Sequence, residues 1–188
     1  VIHPPVNTDI FKPYSNKDSN EVLVYLGSSG GDVDLSFLYK VIKTIVRRNF
    51  KVNLFGNVRI GRIIRKTFGK SVEYYENLND IELAKLYSKA LVTICPQTWE
   101  LFGYTAVESM ACGTPVLAFN YFGHSETIIN GKTGLLAKTK NEFIKMLELI
   151  LDNNIEFDRN YIRQHVIKMY SAKRSTNKLI ETIKKCSM

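Results

Sequence analysis

The 188 residues are 45% apolar and include 10 Tyr and 10 Phe, which suffices for one sizeable core and excludes a globally disordered chain. The longest apolar runs, such as 90–95, fall far short of the roughly 20 residues that span a bilayer, and no secretory leader is visible. Lys and Arg outnumber Asp and Glu by 26 to 18, a net charge of +8 that suits a polyanionic partner such as nucleic acid, an acidic membrane surface or a diphosphate.

In chain order, residues 1–20 carry Pro4, Pro5 and Pro13 without periodicity and read as an extended interdomain linker. Val22 to Leu26 is a short apolar run that leaves through the glycine loop Gly27-Ser28-Ser29-Gly30-Gly31, as a buried strand does. A helix with Leu35, Leu38, Val41, Ile42 and Ile45 on one face follows. Strands are expected at Val52–Phe55, Val72–Tyr75, Leu91–Cys95, Pro115–Phe119 and Leu135–Leu136. Between them lie a basic helix at Val58–Phe68, a helix capped by Asn79 with Glu82 completing a capping box, a helix near Tyr104–Ala111 and a helical turn at Ser125–Ile129. The remainder, Asn141–Ile150 and Tyr161–Lys185, reads as helical. The core unit is therefore expected at 21–140, with residues 141–188 as helices packed on the same domain.

Short apolar strands alternating with amphipathic helices imply right-handed crossovers and an α/β parallel sheet with helices on both faces. Such sheets take ligands beyond the carboxyl ends of their strands. The richest of those loops is Pro96 to Thr105. Gly103 allows close backbone approach, and the amides of Gly103, Tyr104 and Thr105 would be free donors at a helix start, a natural anion site. Glu100 and Glu108 flank that start, and a carboxylate accepts both hydroxyls of a vicinal diol. Amides for phosphate and carboxylates for polyols together suit a nucleotide sugar; surface salt bridges are the plainer reading of the two glutamates.

The run CPQTWELFGYTAVESMACGTPVLA at 95–118 closely resembles the donor-site signature of the group 1 (family 4) retaining glycosyltransferases. FGHSETIINGKTGLL at 122–136, ELAKLYSKA at 82–90 and VIHPPVNTDIF at 1–11 resemble the same family in one register. The resemblance implies the Rossmann-like, C-terminal, donor-binding half of a GT-B fold, cytoplasmic or peripheral on the inner face of the membrane. It implies a hexosyltransferase of glycan biosynthesis with a glycan or lipid-linked acceptor, a UDP- or GDP-sugar as donor substrate, and neither cofactor nor metal for the transfer step. By position, Glu108 would bind the ribose and Glu100 hydroxyls of the transferred sugar. The amides from Phe102 through Gly103 and Tyr104 to Thr105 would hold sugar and diphosphate with Gly27 and Ser28, and Tyr75 and Asn77 would lie at the base.

One departure matters. The family carries an Arg and a Lys after the first strand that clamp the diphosphate, whereas Gly27 to Asp34 holds no cation. Charge stabilisation of a leaving group is often a large catalytic contribution. Arg59 is the best substitute by location and Arg62 the next, and an inactive or regulatory nucleotide-sugar-binding subunit, or a GT-B-fold epimerase, is the alternative reading. His124 reads first as a local hydrogen-bonding partner, Glu126 as a brace for its loop and Trp99 as packing. The chain begins at Val1 and is expected to be a piece of a longer protein that supplies an N-terminal acceptor domain, so that alone it would bind donor without transferring it.

Other classes fit less well. A dinucleotide-dependent oxidoreductase would need the GxGxxG fingerprint and an acid after the second strand, and both are missing. A nucleic-acid module would rest on net charge alone, because no recognition motif is present. Three cysteines without CxxC spacing argue against a disulfide framework or zinc site and fit a reducing compartment. The cations of the helix-like stretches (Lys40, Lys43, Arg47, Arg48; Lys168, Lys173, Arg174, Lys184, Lys185) read first as solvated faces, and the terminal ones as a candidate membrane approach without Trp or Phe for insertion.

Overall fold

The computed structural model describes residues 2–15, 20–28 and 33–186. Six strands form one parallel sheet: β1 (Glu21–Tyr25), β2 (Lys51–Phe55), β3 (Val72–Tyr75), β4 (Thr93–Cys95), β5 (Val116–Phe119) and β6 (Gly134–Ala137), in the spatial order β3-β2-β1-β4-β5-β6. The order reverses between β1 and β4, where a parallel sheet opens a crevice at the carboxyl ends of its strands. Among the described residues, eight α-helices connect and follow the strands: α1 (Leu35–Arg47), α2 (Val58–Phe68), α3 (Asp80–Lys89), α4 (Tyr104–Ala111), α5 (Phe122–Thr127), α6 (Lys140–Leu151), α7 (Arg159–Tyr170) and α8 (Ala172–Cys186).

The sheet is buried on both sides because its strands carry apolar residues on both faces. Val22 and Val24 of β1 point into a core shared with Leu38, Val41 and Ile42 of α1, Ile60 and Ile64 of α2, and Phe143 and Leu147 of α6. Leu23 points to the opposite core, with Ala84 and Tyr87 of α3, Val107 and Met110 of α4, and Ile162 and Val166 of α7. Helix starts follow side-chain chemistry. Asp34 accepts from the amides of Ser36 and Phe37 at α1, and Asn79 with Glu82 forms the capping box of α3.

The helical segment expected over Tyr161–Lys185 is divided between α7 and α8. Ser171 is extended (ψ 150°), and the amide of Val6 donates to the Tyr170 carbonyl at 2.8 Å. A partner 164 positions away in sequence takes the carbonyl that continued helix would use, so hydrophobic periodicity cannot register the break. The irregular stretch 2–15 is held by this contact and by Arg163, which donates to the carbonyls of Thr8 and Phe11. The helix expected at Ser125–Ile129 lies instead at Phe122–Thr127, and the Ser29–Asp32 part of the glycine loop falls outside the described residues.

Candidate donor-binding site

The loops after β4 and β5 fold onto each other at the carboxyl edge. The Gly123 amide donates to the Glu100 carbonyl at 2.9 Å, and a Cβ on Gly123 would stand 2.5 Å from backbone atoms of Phe102. No side chain larger than hydrogen fits there without moving the backbone. Gly103 adopts a left-handed conformation (φ 85°) beneath the His124 ring, whose Cδ2 would lie 3.0 Å from an added Cβ. His124 is buried, and desolvation lowers its pKa to about 4, so the imidazole is neutral at physiological pH.

Gly103 opens α4 with no side-chain cap, so the first helical amides face the crevice without a side-chain acceptor. The Gly103 amide itself is not free: it donates to Oε1 of Glu100 at 3.2 Å. Glu100 thus serves partly as a local brace, a role that the spacing of the glutamates could not reveal. Tyr104 is exposed and Thr105 half-buried in the first turn of α4; the Phe102 ring packs against Tyr104 and Tyr170 with centroids 5.0 and 5.8 Å away. Trp99 is half exposed and rests on Phe122 (4.5 Å). Glu126 points to solvent, while its carbonyl accepts from the Tyr170 hydroxyl.

Glu108 lies on α4 in a largely buried position. Its Oε2 accepts from the hydroxyl of the fully buried Tyr87 at 3.2 Å. Burial raises its pKa to about 7, an effect that the Tyr87 hydrogen bond opposes. A carboxylate kept this dry, with one oxygen uncommitted to any side chain, is poised to exchange water for ligand hydroxyls.

Two residues overlooked in the sequence complete the wall. Tyr25 ends β1, packs against Phe55 (5.1 Å), and has its hydroxyl hydrogen-bonded to Ser28. Burial holds that phenol above its ordinary pKa, with the nearby carboxylates of Glu100 and Glu108 adding to the rise. Gln97 ties the two central strands together, its Nε2 donating to the Tyr25 carbonyl at 2.8 Å. Its buried Oε1 has no partner among the described residues, an orphaned acceptor at the reversal point of the sheet. A polar residue at the carboxyl end of a central strand was the available signal for both.

Gly27 is left-handed (φ 76°) beside Ser28 at the end of β1. Tyr75 ends β3 half-buried, and Asn77 follows it, exposed and left-handed (φ 52°). Of the candidate cations, Arg62 is committed to Glu76 through two bonds of 2.8 and 3.0 Å, and Arg59 is exposed in the first turn of α2. Tertiary structure adds another: Lys140, opening α6, pairs with Asp34 at the N-cap of α1. Lys140 and Ser36 hold the Asp34 carboxyl well below the usual carboxylate range. Among the described residues, no three or more His, Cys, Asp or Glu side chains gather as metal ligands would.

The family model for group 1 glycosyl transferases matches residues 6–169. The chain belongs to that family. A glycosyltransferase of Methanocaldococcus jannaschii is 31% identical over 192 residues, covering 98% of this chain and 52% of its own length. A D-inositol 3-phosphate glycosyltransferase of Arthrobacter is 37% identical over 84 residues, 44% of this chain and 20% of that protein. Among solved structures, a sucrose-phosphate synthase from Thermosynechococcus elongatus superposes with a TM-score of 0.78 at 22% identity, over 98% of this chain and 52% of that one. Anabaena HepE, solved with UDP and glucose, gives 0.74 at 18% identity, over 98% and 56%. This group 1 glycosyltransferase chain therefore has the Rossmann-like fold of GT-B proteins and spans about half the length of such relatives. No described helix is long and apolar enough to cross a membrane.

Proposed function

We propose that this chain is the donor half of a retaining glycosyltransferase and binds a nucleoside-diphosphate sugar in the crevice between β1 and β4. The observation that carries the reading is Glu108, a dry carboxylate anchored by Tyr87 on the helix that Gly103 opens without a cap. In the bound state Glu108 takes the two ribose hydroxyls, and the base lies along Tyr75 to Leu78. The first amides of α4 hold the diphosphate, with Gly27 and Ser28 facing it from β1. Glu100 contacts hydroxyls of the transferred hexose, and its hold on the Gly103 amide fixes that carboxylate in place.

The reaction leaves a nucleoside diphosphate whose charge must be stabilised as the glycosidic bond breaks. Arg59 is the cation at hand, because Arg62 is held by Glu76 and Lys140 by Asp34. The cation-free residues Gly27, Ser28, Val33 and Asp34 favour, as the second reading, a binding subunit that is inactive or regulatory, or a GT-B-fold epimerase. The acceptor, a glycan or a lipid-linked sugar at the inner membrane face of the cytoplasm, belongs on an N-terminal acceptor domain. On this reading the 188-residue chain binds donor but transfers nothing by itself. Calorimetric titration with UDP-, GDP- and ADP-sugars tests the proposal: one of them binds, and Glu108→Ala removes that binding selectively. Binding by none would sink the donor site, and transfer by the chain alone would sink the division of labour.

A further inference from the structure

Residues 35–72 contain ten Lys and Arg and not a single Asp or Glu. Within α1, Lys40, Lys43 and Arg47 recur at i, i+3 and i+7, opposite the buried Leu38, Ile42 and Ile45. Within α2, Arg59, Arg62 and Lys66 repeat the same spacing, opposite the buried Ile60 and Ile64. All six cations are exposed. The helices flank β2 on the same side of the sheet and touch through Tyr39 and Phe68, whose rings lie 4.9 Å apart. Two rows of positive charge therefore run side by side on one outer face, and Lys70 extends the second.

Charge relief is sparse on this face. Among the described residues, Lys40, Lys43, Arg47, Arg59, Lys66 and Lys70 form no ion pair; Arg62 does, with Glu76. Like charges three and four residues apart oppose helix formation. The neighbouring α6 differs, mixing Glu142 and Glu148 with its lysines. Apolar side chains stand among the cations: Ile63 is 53% exposed, and Tyr39 is exposed beneath the Lys43 ammonium, 5.9 Å from its ring centroid. The surface is the broad side of two adjacent helices, with only Arg59, in the first turn of α2, close to the carboxyl edge of the sheet.

We infer that the α1–α2 face docks on an anionic lipid surface. Rows of Lys and Arg gain from the negative potential of acidic headgroups, and Ile63 with Tyr39 enters the headgroup layer between them. A soluble polyanion would use the charges and leave the exposed Ile63 without a role. This inference does not depend on the donor-site reading: Arg59 alone of these cations is assigned to that crevice, and the test below leaves it in place.

The test uses the 188-residue chain and sedimentation with phosphatidylcholine vesicles, with and without about one third phosphatidylglycerol, at about 0.1 M salt. Binding is expected only to the acidic vesicles. Joint replacement of Lys40, Lys43, Arg47, Lys66 and Lys70 by Gln is expected to weaken it at least about tenfold. Thermal melting of that variant should occur at or above the parent temperature, since repulsion is relieved, which separates lost docking from misfolding. Tyr39→Ser with Ile63→Ser should weaken vesicle binding severalfold while leaving retention on polyuridylate unchanged. The inference is overturned if the parent ignores acidic vesicles, if the five-Gln chain binds them equally, or if polyuridylate is held more tightly than the vesicles.

Discussion

Glu108→Gln separates what the fold needs from what a ligand needs. The carboxyl is raised from 4.5 to about 7 by burial, and about 1.4 kcal/mol per pH unit makes its ionised form cost about 3 kcal/mol in the ligand-free chain. The direction follows from linkage. Below 4.5 the group is protonated in both the folded and unfolded states and contributes no difference. Between 4.5 and about 7 the unfolded chain ionises first, so stability falls as pH rises, and above about 7 the whole penalty is present. Gln keeps an acceptor for the Tyr87 hydroxyl and carries no charge. The variant should therefore melt higher than the parent by up to about 6–12 °C near pH 8.5, taking roughly 2–4 °C per kcal/mol for a chain of this size. The gain should shrink to nothing near pH 4.5. Calorimetric melting of both chains across this range is the assay. A constant difference, or a variant less stable at alkaline pH, would refute the claim that Glu108 is an ionised group held against solvation. Nucleotide affinity should move oppositely: Gln offers the ribose one acceptor instead of two and should bind about ten- to a hundredfold more weakly.

Parent affinity for a nucleotide should fall as pH drops below about 7 with the protonation of Glu108, and Tyr87→Phe should move that fall to higher pH by removing the bond that favours the carboxylate; titration calorimetry at several pH values reads both. Gly123→Ala forces a Cβ to 2.5 Å from the Phe102 backbone, so it should destabilise the chain by about 2–4 kcal/mol in denaturant unfolding and impair donor binding. In the native chain a thiol reagent should modify the exposed Cys186 quickly and spare the buried Cys95 and Cys112, whose thiols burial pushes up, that of Cys112 to about 12. Rapid labelling of all three would show that the α4 layer opens readily.

The sequence by itself determined the alternation of strands and helices, because buried strands must be apolar on both faces and each helix must bury one stripe. It also marked the loop from Pro96 to Thr105 and the helix it opens, where a glycine start lies between Glu100 and Glu108. Family motifs placed those residues in one crevice, and the matching family model agrees about the family. Tertiary structure alone decided how each residue is used. Glu100 binds the Gly103 amide because the loop turns back within three residues. Tyr87 reaches Glu108 because α3 and α4 pack together across 21 positions of sequence. Lys140 stands at Asp34 although 106 positions separate them, since α1 and α6 share one face of the sheet. The helix ends at Tyr170 because Val6 takes its carbonyl. Patterning reports which side of an element is dry; it carries no information about which distant group will satisfy a particular donor, acceptor or charge.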